Sequence, residues 1–288
     1  MTIPFVDAHI HLWDLDSTES DYSWVKVAND GLLGPLAEIQ IPLWDAHRFA
    51  AESRHSKPHK VVHVQAAGAP GDPVAETIWL MRNRGEPALP DAIVARVELR
   101  GDDAGAVLDR HLDASSLVRG VRDMTSMGAL DDPALPVGLA ELASRGLSWE
   151  LACTWEEMPA ALRLANAQPD LAIVLGHLGF PLTRAEDYLE SWRSALRQLA
   201  QAPNVHCKIS GLGMGDHEWI TDSWRPLVEH ALEVFGPARC LVGTNWPVDR
   251  LYASYDAVVG ALIELTSGLS DADRNAVLFA NAERFYRI

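Results

Sequence analysis

The chain is poor in cysteine. Its 288 residues include three, Cys153, Cys207 and Cys240, none in C-x-x-C spacing. An odd, scattered set makes no disulfide framework; it reads as buried, reduced thiols in a cytoplasmic protein. Basic charge is also scarce: 24 Lys and Arg stand against 40 Asp and Glu, a formal net charge of −16. Nucleic acids and anionic membrane surfaces both need a cationic face, so neither is an expected partner. No apolar run approaches the roughly 20 residues that span a bilayer. The opening Met1-Thr2-Ile3-Pro4-Phe5-Val6-Asp7 lacks the basic and apolar regions of a secretory signal. Also missing is a G-x-G-x-x-G turn after the first strand, which removes the usual mark of a doubly wound, dinucleotide-binding sheet.

What the chain does contain is ample core material, with 48% hydrophobic and 22% charged residues. Short β-branched or apolar runs recur at 5–9, 60–65, 93–99, 117–121, 148–152, 172–176, 205–209 and 240–244. Between them lie stretches with apolar residues at helical spacing, such as 160–165 and 227–232. Eight strand–helix alternations predict an α/β fold, a (β/α)8 TIM barrel, as one domain over 1–288. No repeat or linker marks a second domain. The longest irregular stretch, 14–41, follows the first strand and carries Tyr22 and Trp24. Loops after barrel strands form the catalytic face, so a lid over the mouth is one reading and a plain surface excursion the other.

Three strand ends carry polar side chains. The first reads Asp7-Ala8-His9-Ile10-His11, and residues two apart in a strand share a face, so His9 and His11 project together. The sixth ends at His177, within Gly176-His177-Leu178-Gly179-Phe180-Pro181. The eighth ends Gly243-Thr244-Asn245-Trp246-Pro247-Val248-Asp249. Imidazoles gathered at one barrel mouth can bind one divalent metal or polarise one carbonyl.

Taken together, Asp-Ala-His-Ile-His-Leu-Trp-Asp, Gly-His-Leu-Gly-Phe-Pro, Lys208-Ile209-Ser210-Gly211-Leu212 and the stretch from Phe235-Gly236 to Pro247-Val248 resemble the amidohydrolase-2 family. Within it the likeness is to TIM-barrel hydrolases that include sugar-acid lactonases and pyrone-dicarboxylate lactonase, and it covers essentially the whole chain. The resemblance implies an amidohydrolase-like barrel that hydrolyses a small polar lactone or related cyclic carbonyl compound, from a sugar acid or a carboxylated ring. It implies that His9, His11 and His177 line the site, and that Arg122 and Lys208 contact substrate carboxylate or hydroxyls. A planar guanidinium matches a carboxylate and an ammonium acts as a point charge.

The chain departs from the family pattern at Asn245, where most relatives carry an aspartate expected to bind metal and activate water. An amide accepts no proton at neutral pH. Three readings stay open: Asp249 acts as the base, a histidine does, or the barrel is a catalytically degenerate binding protein. Strand five, Trp149-Glu150-Leu151, supplies no histidine, which argues against a binuclear site. The cofactor is then either absent or one divalent metal, zinc by preference, on His9, His11 and His177. The metal-free reading, with the histidines and Arg122 polarising the carbonyl, is preferred. The enzymatic rival is a metal-dependent decarboxylase of the same family.

Trp13 and Trp246, each just after a strand, are expected to line the pocket, and Gln65 to donate its amide to substrate. Trp155 is a further candidate of the same kind, whereas Trp79 and Trp192 read as barrel packing. His47, His55, His59 and His111 read as surface residues, His63 and His206 as structural, and His217 as part of a mobile loop. The expected partner is a small molecule, with homodimer formation through the outer helices compatible with the fold.

Overall fold

The computed structural model describes residues 4–288. Eight parallel strands form one sheet in chain order: β1 Val6–Ile10, β2 Lys60–Val64, β3 Ala92–Arg96, β4 Val118–Arg122, β5 Ser148–Leu151, β6 Ile173–Leu175, β7 Val205–Ile209 and β8 Cys240–Val242. A helix follows each: α1 Ala46–Glu52, α2 Ala75–Arg82, α3 Ala104–Ala114, α4 Leu135–Ser144, α5 Met158–Ala167, α6 Glu186–Leu199, α7 Thr221–Phe235 and α8 Tyr255–Leu265. This is the (β/α)8 barrel that the alternation predicts.

Helix α6 shows why such segments fold as they do. Leu189, Trp192, Leu196 and Leu199 recur at three- and four-residue spacing and are buried against the barrel. Glu186 and Asp187 occupy the first turn and Arg197 the last, each favourable to the helix dipole. Burying each large apolar side chain contributes roughly 1.5–3 kcal/mol.

The barrel closes just beyond β8. The Asn245 amide donates to the His9 carbonyl at 2.8 Å, and the His11 amide donates to the Trp246 carbonyl at 2.7 Å. Closure therefore sets the histidine motif of β1 directly against the Asn245 segment.

At the opposite end, Val6, Ala8, Val62, Ala92, Val174 and Leu241 pack with Ala282, Phe285 and Tyr286. These last three come from the helical run 271–286, which plugs the barrel bottom. Above them lies a buried polar layer. Lys208 donates to both oxygens of Glu150 (2.7 and 2.8 Å) and to the Ala8 carbonyl (2.8 Å). Tyr286 donates its hydroxyl to the same carboxylate.

His111 departs from its expected surface position. It is fully buried: its Nε2 donates to the Arg96 carbonyl at 3.0 Å, and its Nδ1 meets Thr77 Oγ1 at 2.9 Å. No helix among the described residues is long and apolar enough to cross a membrane.

Candidate active site

The site begins with an irregularity in β1. Asp7 pairs with Val61 but Ile10 pairs with His63, so one extra residue lies between them. A straight strand would turn Asp7, His9 and His11 the same way. Here Asp7 instead faces α8, accepting from Thr244 Oγ1 (2.7 Å), the Thr244 amide (2.9 Å) and Tyr255 hydroxyl (2.9 Å). His9 and His11 are left facing the barrel mouth, with ring centroids 5.0 Å apart.

His177 follows β6 with φ 50°, in the left-handed region, as does Leu178 at 55°. That backbone turn brings its ring to 4.4 Å from His9, and its Nδ1 lies 2.9 Å from Ser210 Oγ. Two glycines make room for these rings. A Cβ on Gly211 would lie 2.5 Å from His177 Nδ1, and one on Gly243 would lie 2.6 Å from His9 Cβ.

The tautomer of His11 follows from its partner. Its Nδ1 lies 2.8 Å from the Val64 carbonyl, which can only accept, so Nδ1 carries the proton. Nε2 is therefore a free lone pair, and His11 lines the cavity. Burial, followed by the Arg122 charge, holds His11 well below the ordinary imidazole pKa. Burial also depresses His9, reinforced by His177, and depresses His177, reinforced by Arg122. All three rings are neutral at pH 7.

Arg122 ends β4 and stands beside this cluster. Its Nη2 donates to the Gln65 carbonyl (2.6 Å) and Gln65 Oε1 (2.9 Å), and its Nη1 lies 3.4 Å from His9 Nε2. Nε has no partner, and no carboxylate pairs with the guanidinium among the described residues. Burial lowers its pKa to about 10, with Glu150 opposing. It remains a cation at pH 7.

His11, His177, Gln65, Arg122 and Asn245 meet at one cavity of about 370 Å³, and His9 supports it from behind. Asn245 has φ 59° and a buried Nδ2 without a partner. Asp249 does not reach the cavity. It is fully buried behind Asn245, with Oδ1 accepting from the Gly213 amide at 3.1 Å and Oδ2 unpartnered. Burial raises its pKa to about 7, and the neighbouring Asn245 amide pulls the other way.

Four expected contacts fall elsewhere. Lys208 is fully buried below the histidines, with its donors spent on Glu150 and Ala8, so it offers substrate nothing. Trp13 is buried under the loop that follows β1, donating to the Ile41 carbonyl at 3.0 Å. Trp246 packs its ring on Tyr255, 5.4 Å away, outside the cavity. Trp155 likewise packs on Tyr188.

The loop after β1 does cover the mouth. Trp24, Asp30, Leu32 and Leu33 line the cavity from it. Trp24 Nε1 donates to the Ala66 carbonyl at 2.7 Å, and Tyr252 hydroxyl to the Leu33 carbonyl at 3.2 Å. His217 Nε2 donates to the Leu32 carbonyl at 3.1 Å. Behind the wall, Glu76 accepts from Tyr22 hydroxyl and the amides of Ala66 and Ala67. Burial would raise the Glu76 pKa, but His63 at 3.2 Å and the amides hold it below the ordinary value.

The chain matches the amidohydrolase family model over residues 6–288. It belongs to the amidohydrolase family. The protein y4mH of Sinorhizobium fredii is 36% identical over 302 residues, covering 99% of both chains. An L-fucono-1,5-lactonase of Burkholderia ambifaria is 29% identical over 296 residues, covering 98% of this chain and 95% of the lactonase. An amidohydrolase of Burkholderia multivorans with bound zinc superposes at a TM-score of 0.83 with 26% identity, over 99% of this chain and 100% of the other.

The donor set of this amidohydrolase does not fit such an ion. Among the described residues no three His, Cys, Asp or Glu side chains are placed to share one metal. The Arg122 cation faces His9 Nε2, an amide stands at position 245, and burial raises the pKa of the nearby Asp249 carboxyl to about 7. A divalent cation there would meet the Arg122 charge, which no carboxylate among the described residues pairs with.

Proposed function

We propose that this amidohydrolase opens the ring of a small lactone with water, without a metal. The lactonase relatives support the reaction class. The observation that carries the mechanism is the unpaired Arg122 guanidinium, 3.4 Å from a cluster of neutral imidazoles at the cavity floor.

His11 takes a proton from water through Nε2, the lone pair that its bond to Val64 leaves free. The water oxygen bonds to the lactone carbonyl carbon, and the carbonyl oxygen gathers negative charge. Arg122 and the unpartnered Nδ2 of Asn245 stabilise that oxyanion. On collapse the ring C–O bond breaks, and His11 returns its proton to the ring oxygen. The product is one hydroxy acid, which releases a proton at neutral pH. Asp249 lies behind Asn245 and, when ionised, acts on the orientation of that amide by charge alone. Asn245 thus belongs to the mechanism, and the site is not a degenerate one.

The test is proton release in a pH-stat from a panel of 1,4- and 1,5-lactones, before and after exhaustive treatment with a chelator. Turnover unchanged within about twofold is the expected result. Loss of turnover that zinc restores would overturn the metal-free site, and its absence on every lactone would overturn the reaction class.

A further inference from the structure

The lactone-opening reading carries a narrower one about the substrate. The polar groups of the cavity come from strand ends: His11 from β1, Gln65 from β2, Arg122 from β4, His177 from β6 and Asn245 from β8. The walls above them come from the connecting loops and, apart from Asp30, are apolar, formed by Trp24, Leu32, Leu33, Phe180, Met214 and Val248. The indole N–H of Trp24 is already bonded to Ala66. Asp30, the carboxylate on the wall, spends Oδ1 on the amides of Leu32 and Leu33 at 2.8 and 2.9 Å. Among the described residues Arg122 is the one cation lining the cavity, and it stands at the reacting centre.

We propose that the cavity selects uncharged lactones with an alkyl or aryl body and few or no hydroxyls. Away from Asp30, a hydroxyl pressed on the apolar wall gives up its bonds to water and receives none in return. A carboxylate remote from the reacting carbonyl would lie unpaired among apolar side chains with Asp30 nearby. An alkyl or aryl substituent gains from burial there, and about 370 Å³ holds a substituted five- or six-membered ring.

Three probes separate the terms. δ-Hexalactone and L-fucono-1,5-lactone share a six-membered ring and its methyl group and differ by three hydroxyls. 2-Pyrone-4,6-dicarboxylate has a flat ring with two charges. Background-corrected kcat/KM on the wild-type protein is expected to be at least tenfold higher for δ-hexalactone than for either of the others. Preference for the hydroxylated or dicarboxylate ring overturns this proposal and leaves lactone opening intact. Turnover of none of the three counts against lactone opening itself, and this proposal falls with it.

Discussion

Asp249 is a carboxyl with little to receive its charge: one oxygen takes a single backbone amide and the other takes nothing. Its pKa, raised from 3.8 to about 7 by burial, has consequences for both stability and rate. Because the folded state holds this proton more tightly than the unfolded chain, the associated stability is full below about pH 3.8. It is lost as pH rises through about 7. A shift of about three units is worth roughly 4 kcal/mol. Asp249→Asn is therefore expected to be more stable than wild type at pH 8 by a few kcal/mol, with the gap closing towards pH 5, as read by denaturant midpoints at each pH. In lactone turnover the wild type gains activity as Asp249 ionises near pH 7. The same variant loses about tenfold in kcat/KM, and its acid limb moves below 6.5, where only the histidines titrate. A limb unchanged at pH 7 would detach Asp249 from the mechanism.

At the scale of elements, period and position were legible and partners were not. Eight apolar runs predict eight strands because parallel strands buried on both faces leave continuous signatures. The ends of β1, β6 and β8 show His9, His11, His177 and Asn245 directly. Ser210 was equally within reach, since it shares the inward face with Lys208 two residues earlier. The bulge in β1 was not legible, because register depends on the neighbouring strand. Nor was the fate of Lys208. Its ion pair with Glu150 joins residues 58 apart in sequence, and that pairing turns an expected substrate contact into a structural layer. Trp13 and Trp246 follow their strands as expected, yet the chain turns each ring away from the cavity.

The loop after β1 reads as irregular in sequence and becomes a roof through Glu76. That carboxylate joins Tyr22 of the loop to the Ala66–Ala67 wall. Replacing it by Gln removes the charge and leaves some donors without an acceptor, at a cost of about 1–3 kcal/mol. Glu76→Gln is expected to raise KM several-fold and to speed amide hydrogen exchange over 20–36, with a smaller change in kcat. Unchanged exchange across that loop would show that the roof is held elsewhere.

Over the whole molecule, charge is arranged against the bulk trend. A chain with net charge −16 keeps one unneutralised guanidinium at its barrel mouth. The Glu150–Lys208 pair, closed from below by Tyr286, supplies a neutral base for that site. Burial, reinforced by the Arg122 charge, keeps the imidazoles neutral, and an apolar cavity strengthens every electrostatic contact within it. In the proposed mechanism Arg122 supplies the charge stabilisation that a metal provides in other sites. The most direct measurement is kcat of Arg122→Met against wild type on one lactone, both chelator-treated and both shown folded by thermal melts. The prediction is a fall of about 10²–10³-fold. Activity within threefold of wild type would contradict it.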